Sequence, residues 1–181
     1  MKKLILLLFV AFSFNSLSQE SNVEWHTDMN KAIEVSMKSK KPMLLFFTGS
    51  DWCGWCKRMD LSTFKDPIII NYLNSKFYAV KFNGESKDTI TFNNHTFYNS
   101  DPLYVKKTEK SRGKAHWFAH SILDGKLSYP SYVVLDENLV RLMVYNGYKK
   151  VDEMLGILLF FGANQYKYYH NHLNEQWVKS K

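Results

Sequence analysis

Two cysteines, Cys53 and Cys56, are the only ones in the 181-residue chain, and only Gly54 and Trp55 separate them. A bridge closing so small a loop removes little unfolded-state entropy, so it is a poor staple. The spacing suits chemistry better. Two neighbouring thiols can pass between dithiol and disulfide by exchange with another disulfide, and the attacking species is a thiolate. A helix N-terminus favours a thiolate through its dipole and free N–H groups. The segment Trp52-Cys53-Gly54-Trp55-Cys56-Lys57 lies between an apolar run and an expected helix. Cys53 is therefore expected at the helix start, exposed enough to attack. Cys56 would be shielded one turn further in, resolving the mixed disulfide, and Lys57 adds a charge that favours the thiolate.

A metal site and an inert bridge are the competing readings. His116 and His120 stand four apart, which gives each half of a Cys-x2-Cys and His-x3-His set zinc-finger spacing. The halves lie about sixty residues apart, where a finger needs roughly a dozen. No metal is assigned, and the two histidines are expected on one exposed helix face. His170 and His172 receive no role.

The elements that must position the cysteines are visible on either side. Thr27 to Ser39 carries apolar residues at helical spacing, with Thr27 or Asp28 available as a cap. Met43 to Thr48 is a continuous apolar run of strand length, suited to burial on both faces. Asp66-Pro67 marks a helix start, with Asp66 as N-cap and Pro67 at the first position, and Phe77 to Phe82 reads as the next strand. The pattern breaks from Gly84 to about Gly113, which is treated as an insertion containing a hairpin, Ile90–Phe92 and Thr96–Tyr98, around Asn93-Asn94-His95. A short helix is expected over Lys114 to Leu123, closed by Gly125. Strands follow at Ser131 to Leu135 and Leu139 to Tyr145, across Asp136-Glu137-Asn138. Val151 to Leu159 supplies the apolar face of a last helix, with Gly162 just past its end. The tail from Asn164 is left unplaced. Trp25, Trp117 and Phe118 are expected in the core.

Residues 1–18 read as a signal peptide: Lys2 and Lys3, an apolar stretch from Leu4 to Phe14, then Ser16-Leu17-Ser18 before a cleavage site. The apolar run is shorter than the ~18–20 residues a membrane span needs. Without that segment the formal charge falls from +7 to +5. The basic residues are scattered, and a nucleic-acid role is unsupported.

The order of elements, the Trp-Cys-Gly-X-Cys-Lys string and Tyr129-Pro130 immediately before a strand resemble the thioredoxin superfamily. The longer string Phe47 to Lys57 looks like its exported bacterial branch. The resemblance covers roughly residues 24 to 162, within a domain taken as 19–163, followed by a tail, 164–181. It implies an α/β fold with a central mixed sheet flanked by helices, and a cis Tyr129-Pro130 bond beside the sulfurs. It also implies that Tyr129 backbone groups hold a substrate strand by β-like pairing. Trp52, Gly54 and Trp55 join Tyr129 and Pro130 as expected substrate contacts. Three features depart from the family pattern. Trp55 stands where thioredoxins carry proline between the cysteines. Phe46 and Phe47 stand in the strand that usually holds a buried carboxylate, and Asp51 is a weak substitute on an exposed turn. The insertion is the third.

The activity implied is disulfide exchange on exported proteins, with reduction as the favoured direction. No cofactor is needed. Electrons would come from a membrane relay protein, the chain is expected to be a monomer, and its location would be periplasmic in a Gram-negative cell. The alternatives are a binding module of the same fold with a passive Cys53–Cys56 bridge, and an isomerase.

Overall fold

The computed structural model describes residues 22–99 and 115–180. The expected signal peptide and part of the expected insertion lie outside them. Asp28 starts α1 (Met29–Ser39), its carboxylate accepting the Lys31 N–H at 3.0 Å. Next come β1 (Met43–Thr48), α2 (Gly54–Leu61), a 3-10 turn at Thr63–Lys65, and α3 (Pro67–Lys76). Asp66 caps α3, accepting from Ile68 N–H at 2.9 Å and Ile69 N–H at 3.4 Å, with Pro67 in the first turn as expected. The chain continues through β2 (Tyr78–Asn83), β3 (Ile90–Phe92), β4 (His95–Phe97), α4 (Trp117–Ile122), β5 (Ser131–Leu135), β6 (Arg141–Asn146), α5 (Val151–Gly162) and α6 (Gln165–Lys179).

A four-stranded mixed sheet runs in the order β2-β1-β5-β6, with β1 parallel to β2 and antiparallel to β5. All six residues of β1 are buried, because both faces of this strand are covered. Alternation along it feeds two cores. Leu44 and Phe46 join Tyr132, Val134 and residues of α2, α3 and α5 on the face that holds the cysteines. Met43, Leu45 and Phe47 join Val133, Phe82 and residues of α1 and α4 on the other.

Several local expectations are corrected. The hairpin turns on two residues, Asn93 and Asn94, both with positive φ, and His95 pairs with Phe92 inside β4. Two asparagines tolerate this mirror-image turn, which matches strand twist better than the three-residue tip expected. The short helix begins at Trp117, with His116 as its cap. Phe118, Ala119 and Ile122 are its buried positions, so Trp117 turns outward and is 38% exposed rather than core. Trp25 is half-buried, its ring 5.5 Å from Phe46 and 4.9 Å from Phe64. Gly162 is the last residue of α5 rather than the residue beyond it; a Cβ there would meet the rings of Tyr72 and Phe77, so only glycine lets the helix end pack this closely on α3. The unplaced tail forms α6, anchored by Tyr166 against Phe161 and by Lys167 to Glu137 at 2.7 Å. Among the described residues, no helix is long and apolar enough to cross a membrane.

Candidate active site

The C-terminal end of β1 delivers the chain to the cysteines through a tight turn. Cys53 N–H donates to Ser50 O at 3.1 Å and Gly54 N–H to Trp52 O at 2.9 Å, after which Lys57 N–H reaches Cys53 O at 3.1 Å. Cys53 is thus the N-cap of α2, as expected, and Cys56 lies in the first turn. The two form a disulfide, with their Cα atoms 5.3 Å apart. Lys57 is exposed beside it.

The exposure of the cysteines differs from expectation. Both are 3% exposed, so Cys53 is as covered as Cys56. The bond turns the Cys53 side chain in toward the helix and into the apolar cluster that holds Phe46, Met59 and Tyr132. The contrast between an open attacking sulfur and a shielded resolving one is absent from this oxidised form.

The Tyr129–Pro130 bond is cis, as the sequence resemblance implied, and Pro130 is buried immediately before β5. The Tyr129 side chain packs on the cluster that contains both cysteines and faces Trp52, ring centroids 6.1 Å apart. Two glycines shape this flank. A Cβ on Gly49 would overlap the Trp52 indole, and one on Gly84 would overlap the Tyr129 phenol. Glu85 fixes the arrangement: Trp52 Nε1–H donates to both of its carboxylate oxygens at 3.1 Å, and Ser50 N–H adds a bond at 3.3 Å. Burial, and then the Glu85 charge, push the Tyr129 hydroxyl up to about 12.

Trp55 heads a second flank. It is 56% exposed, with its ring 5.8 Å from Tyr148. The Arg58 guanidinium lies 5.4 Å from the Trp55 ring and 5.3 Å from the Tyr148 ring. Tyr148 Oη and Ser62 Oγ are 3.2 Å apart, and hydrogen bonds from Ser62 and Thr63, with Arg58 nearby, hold the Tyr148 hydroxyl below its ordinary value.

Behind the disulfide, Phe46 and Phe47 are fully buried in β1, as their apolar type required. A carboxylate is nevertheless present on α2. Asp60 is four residues beyond Cys56, which puts both on one helix face, and it pairs with Lys81 of β2 at 2.5 Å. Burial, and then the Asp60 charge, raise the Tyr132 hydroxyl, which is buried and has no hydrogen-bond partner among the described residues.

The histidines stand apart from this site. His116 is fully buried rather than exposed. Its Nδ1 accepts the Phe118 N–H at 3.0 Å, leaving Nε2–H to donate to Asp88 O at 2.7 Å, while His120 is exposed. Among the described residues no group of three His, Cys, Asp or Glu is placed to hold a metal ion.

Sequence reasoning found the disulfide, the cis-proline turn and the two tryptophans. It missed Glu85, Gly49, Gly84, Arg58, Tyr148 and the Asp60–Lys81 pair. The i, i+3 spacing of Trp55 and Arg58 on α2 was the one available local signal. The others meet only through the tertiary fold.

The family model Thioredox_DsbH, described as a protein of unknown function (DUF255), matches residues 11–126. A thioredoxin-related protein DsbJ of Chlamydia pneumoniae is 29% identical over 84 residues, covering 44% of this chain and 24% of that protein. A disulfide bond reductase DsbH of the same organism is 49% identical over 39 residues, covering 22% of this chain and 23% of that protein. The matches thus span about a quarter of these relatives' lengths. A putative disulphide-isomerase from Bacteroides thetaiotaomicron has a similar fold, with a TM-score of 0.55 and 16% identity, over 81% of this chain and 97% of that one. With a family model over more than half its length and the CxxC pair seated on a mixed α/β sheet, the chain belongs to the Thioredox_DsbH family of the thioredoxin superfamily.

Proposed function

We propose that the chain is a thiol–disulfide oxidoreductase that reduces disulfides in protein substrates through Cys53 and Cys56. The observation that carries this reading is the Cys53–Cys56 disulfide capping a helix, on the core face to which the cis Tyr129–Pro130 turn also packs. A disulfide bond reductase among the relatives supports the reducing direction.

In the reduced protein, the Cys53 thiolate at the N-terminus of α2 attacks one sulfur of a substrate disulfide. The new bond joins Cys53 to that sulfur, and the other substrate sulfur leaves as a thiolate and takes a proton. Cys56 loses its proton and attacks Cys53 Sγ, which breaks the mixed disulfide and releases the second substrate thiol. Two electrons pass to the substrate, and Cys53–Cys56 is left oxidised. A second dithiol protein must reduce it again, and we assign that role to a membrane electron relay. Lys57 favours the thiolate. Trp52, Gly54, Trp55, Pro130 and the Tyr129 backbone receive the substrate strand. We read residues 1–18 as an export signal, so the protein would act as a monomer outside the cytoplasm, in the periplasm of a Gram-negative cell. No cofactor enters the exchange.

Reduction of a protein disulfide in the presence of dithiothreitol tests this reading. Pre-reduced Cys56→Ser, freed of dithiothreitol before substrate is added, is expected to accumulate a mixed disulfide with substrate, while Cys53→Ser forms none and loses turnover. Equal behaviour of the two variants would contradict the roles assigned. The burial of both sulfurs supports a second reading, a binding module with a passive bridge. That reading requires wild-type protein without turnover and a bond that resists mild reductant.

A further inference from the structure

The second aromatic flank carries a charge that the exchange chemistry does not use. Arg58 is exposed on α2, two residues past Cys56, and makes no ion pair among the described residues. Its guanidinium is nevertheless not loose. It stands against the rings of Trp55 and Tyr148 at 5.4 and 5.3 Å, and Tyr148 is itself braced by Ser62. The two ring centroids are themselves 5.8 Å apart, so the guanidinium leans on one side of the ring pair and still offers N–H donors to solvent.

The neighbouring charges sharpen the point. Lys57 is exposed on the same helix, and Lys149 and Lys150 follow Tyr148, with Lys149 Nζ held by Asn146 O at 2.5 Å. Two of the carboxylates around the disulfide are engaged. Glu153 accepts the Lys150 N–H at 2.7 Å, and Glu85 is committed to Trp52 on the other flank. Asp51 and Asp152 are exposed, and Asp60 is paired with Lys81. The Trp55 flank therefore presents a fixed cation beside apolar rings, next to the reacting sulfurs.

We propose that Trp55, Arg58 and Tyr148 form a specificity subsite for an acidic side chain flanking the substrate cysteine, so that the preferred substrates are disulfides in acidic peptide segments. The inference rests on the exchange reading and deepens it. A carboxylate meeting the fork makes charge-assisted hydrogen bonds, while the substrate backbone lies over the rings. Arg58 touches no reacting atom; it acts on how the substrate is bound.

The test compares three synthetic peptide disulfides that differ only in having glutamate, glutamine or lysine beside the cysteine. Wild-type protein is expected to show kcat/KM higher by about tenfold for glutamate over glutamine, carried in KM, with lysine poorest. The preference is expected to shrink at high salt. In Arg58→Gln the ratio of glutamate to glutamine is expected to fall to about one, and Arg58→Lys, which keeps charge but loses the fork, to restore part of it. Wild-type protein that reduces all three peptides equally would overturn the subsite and leave the exchange reading standing. Wild-type protein that reduces none of them would overturn the exchange reading itself. The wild-type comparison and its salt dependence decide the matter even where a variant fails to fold.

Discussion

Trp52 and Tyr129 flank the disulfide because two other residues lack side chains. Gly49 and Gly84, at the ends of β1 and β2, leave the space that the indole and the phenol fill. Gly84→Ala is expected to force the Tyr129 ring from its seat and to destabilise the protein by about 1–3 kcal/mol, the usual cost of overpacking. Urea denaturation reads that loss, and Trp52 fluorescence should change with it, since its ring contact with Tyr129 shifts. An unchanged midpoint and spectrum would mean that the phenol has other room. Cys53 and Cys56 were legible in the sequence because their chemistry is local, a spacing at a helix start, whereas the cis Tyr129-Pro130 bond was expected only from the family resemblance. Glu85 was not. It lies 33 residues from Trp52 and reaches it only because β1 and β2 are parallel neighbours that end together.

At the scale of elements, caps were legible where the acceptor was a carboxylate at a helix start, as at Asp28 and Asp66. His116 broke that pattern. An imidazole cap of α4 has no sequence signature, and its exposure depends on the segment around Asp88 closing over it. Burial lowers its pKa from the ordinary 6.5, against the opposing pull of the Asp88 carbonyl and charge. The neutral ring is the one that fits, since Nδ1 must accept while Nε2–H donates. The unfolded chain therefore takes up a proton near 6.5, before the folded one does. The contribution of the neutral His116 is fully present above that value and is lost as pH falls below it, through the lower pKa of the folded ring. His116→Asn keeps a capping oxygen and does not titrate. The stability of wild type relative to His116→Asn is expected to shrink over that range in urea titrations, and a constant difference would contradict the assignment. The hairpin turn was misjudged by one residue for a related reason: asparagine pairs allow either turn, and strand register decides.

For the whole molecule, the α/β order and the central strand followed from alternating apolar runs, and the mixed sheet β2-β1-β5-β6 bears that out. The C-terminal helix α6 did not. Its aromatic and polar residues show no apolar face of the usual width, and it is held by one buried ring, Tyr166, with Lys167 to Glu137. The sheet places Cys53 at the end of its central parallel strand, beside the turn that opens its antiparallel neighbour. Whether Cys53 and Cys56 work as a reducing dithiol or stay a fixed bridge has a direct test. Equilibration of the protein in dithiothreitol and glutathione buffers, followed by tryptophan fluorescence, gives the reduction potential of Cys53–Cys56. The expected value is about −270 mV, where thioredoxin itself lies. A value of about −120 mV would make the pair a disulfide donor, and a bond that stays oxidised in every buffer would leave it passive; either result contradicts a reducing role.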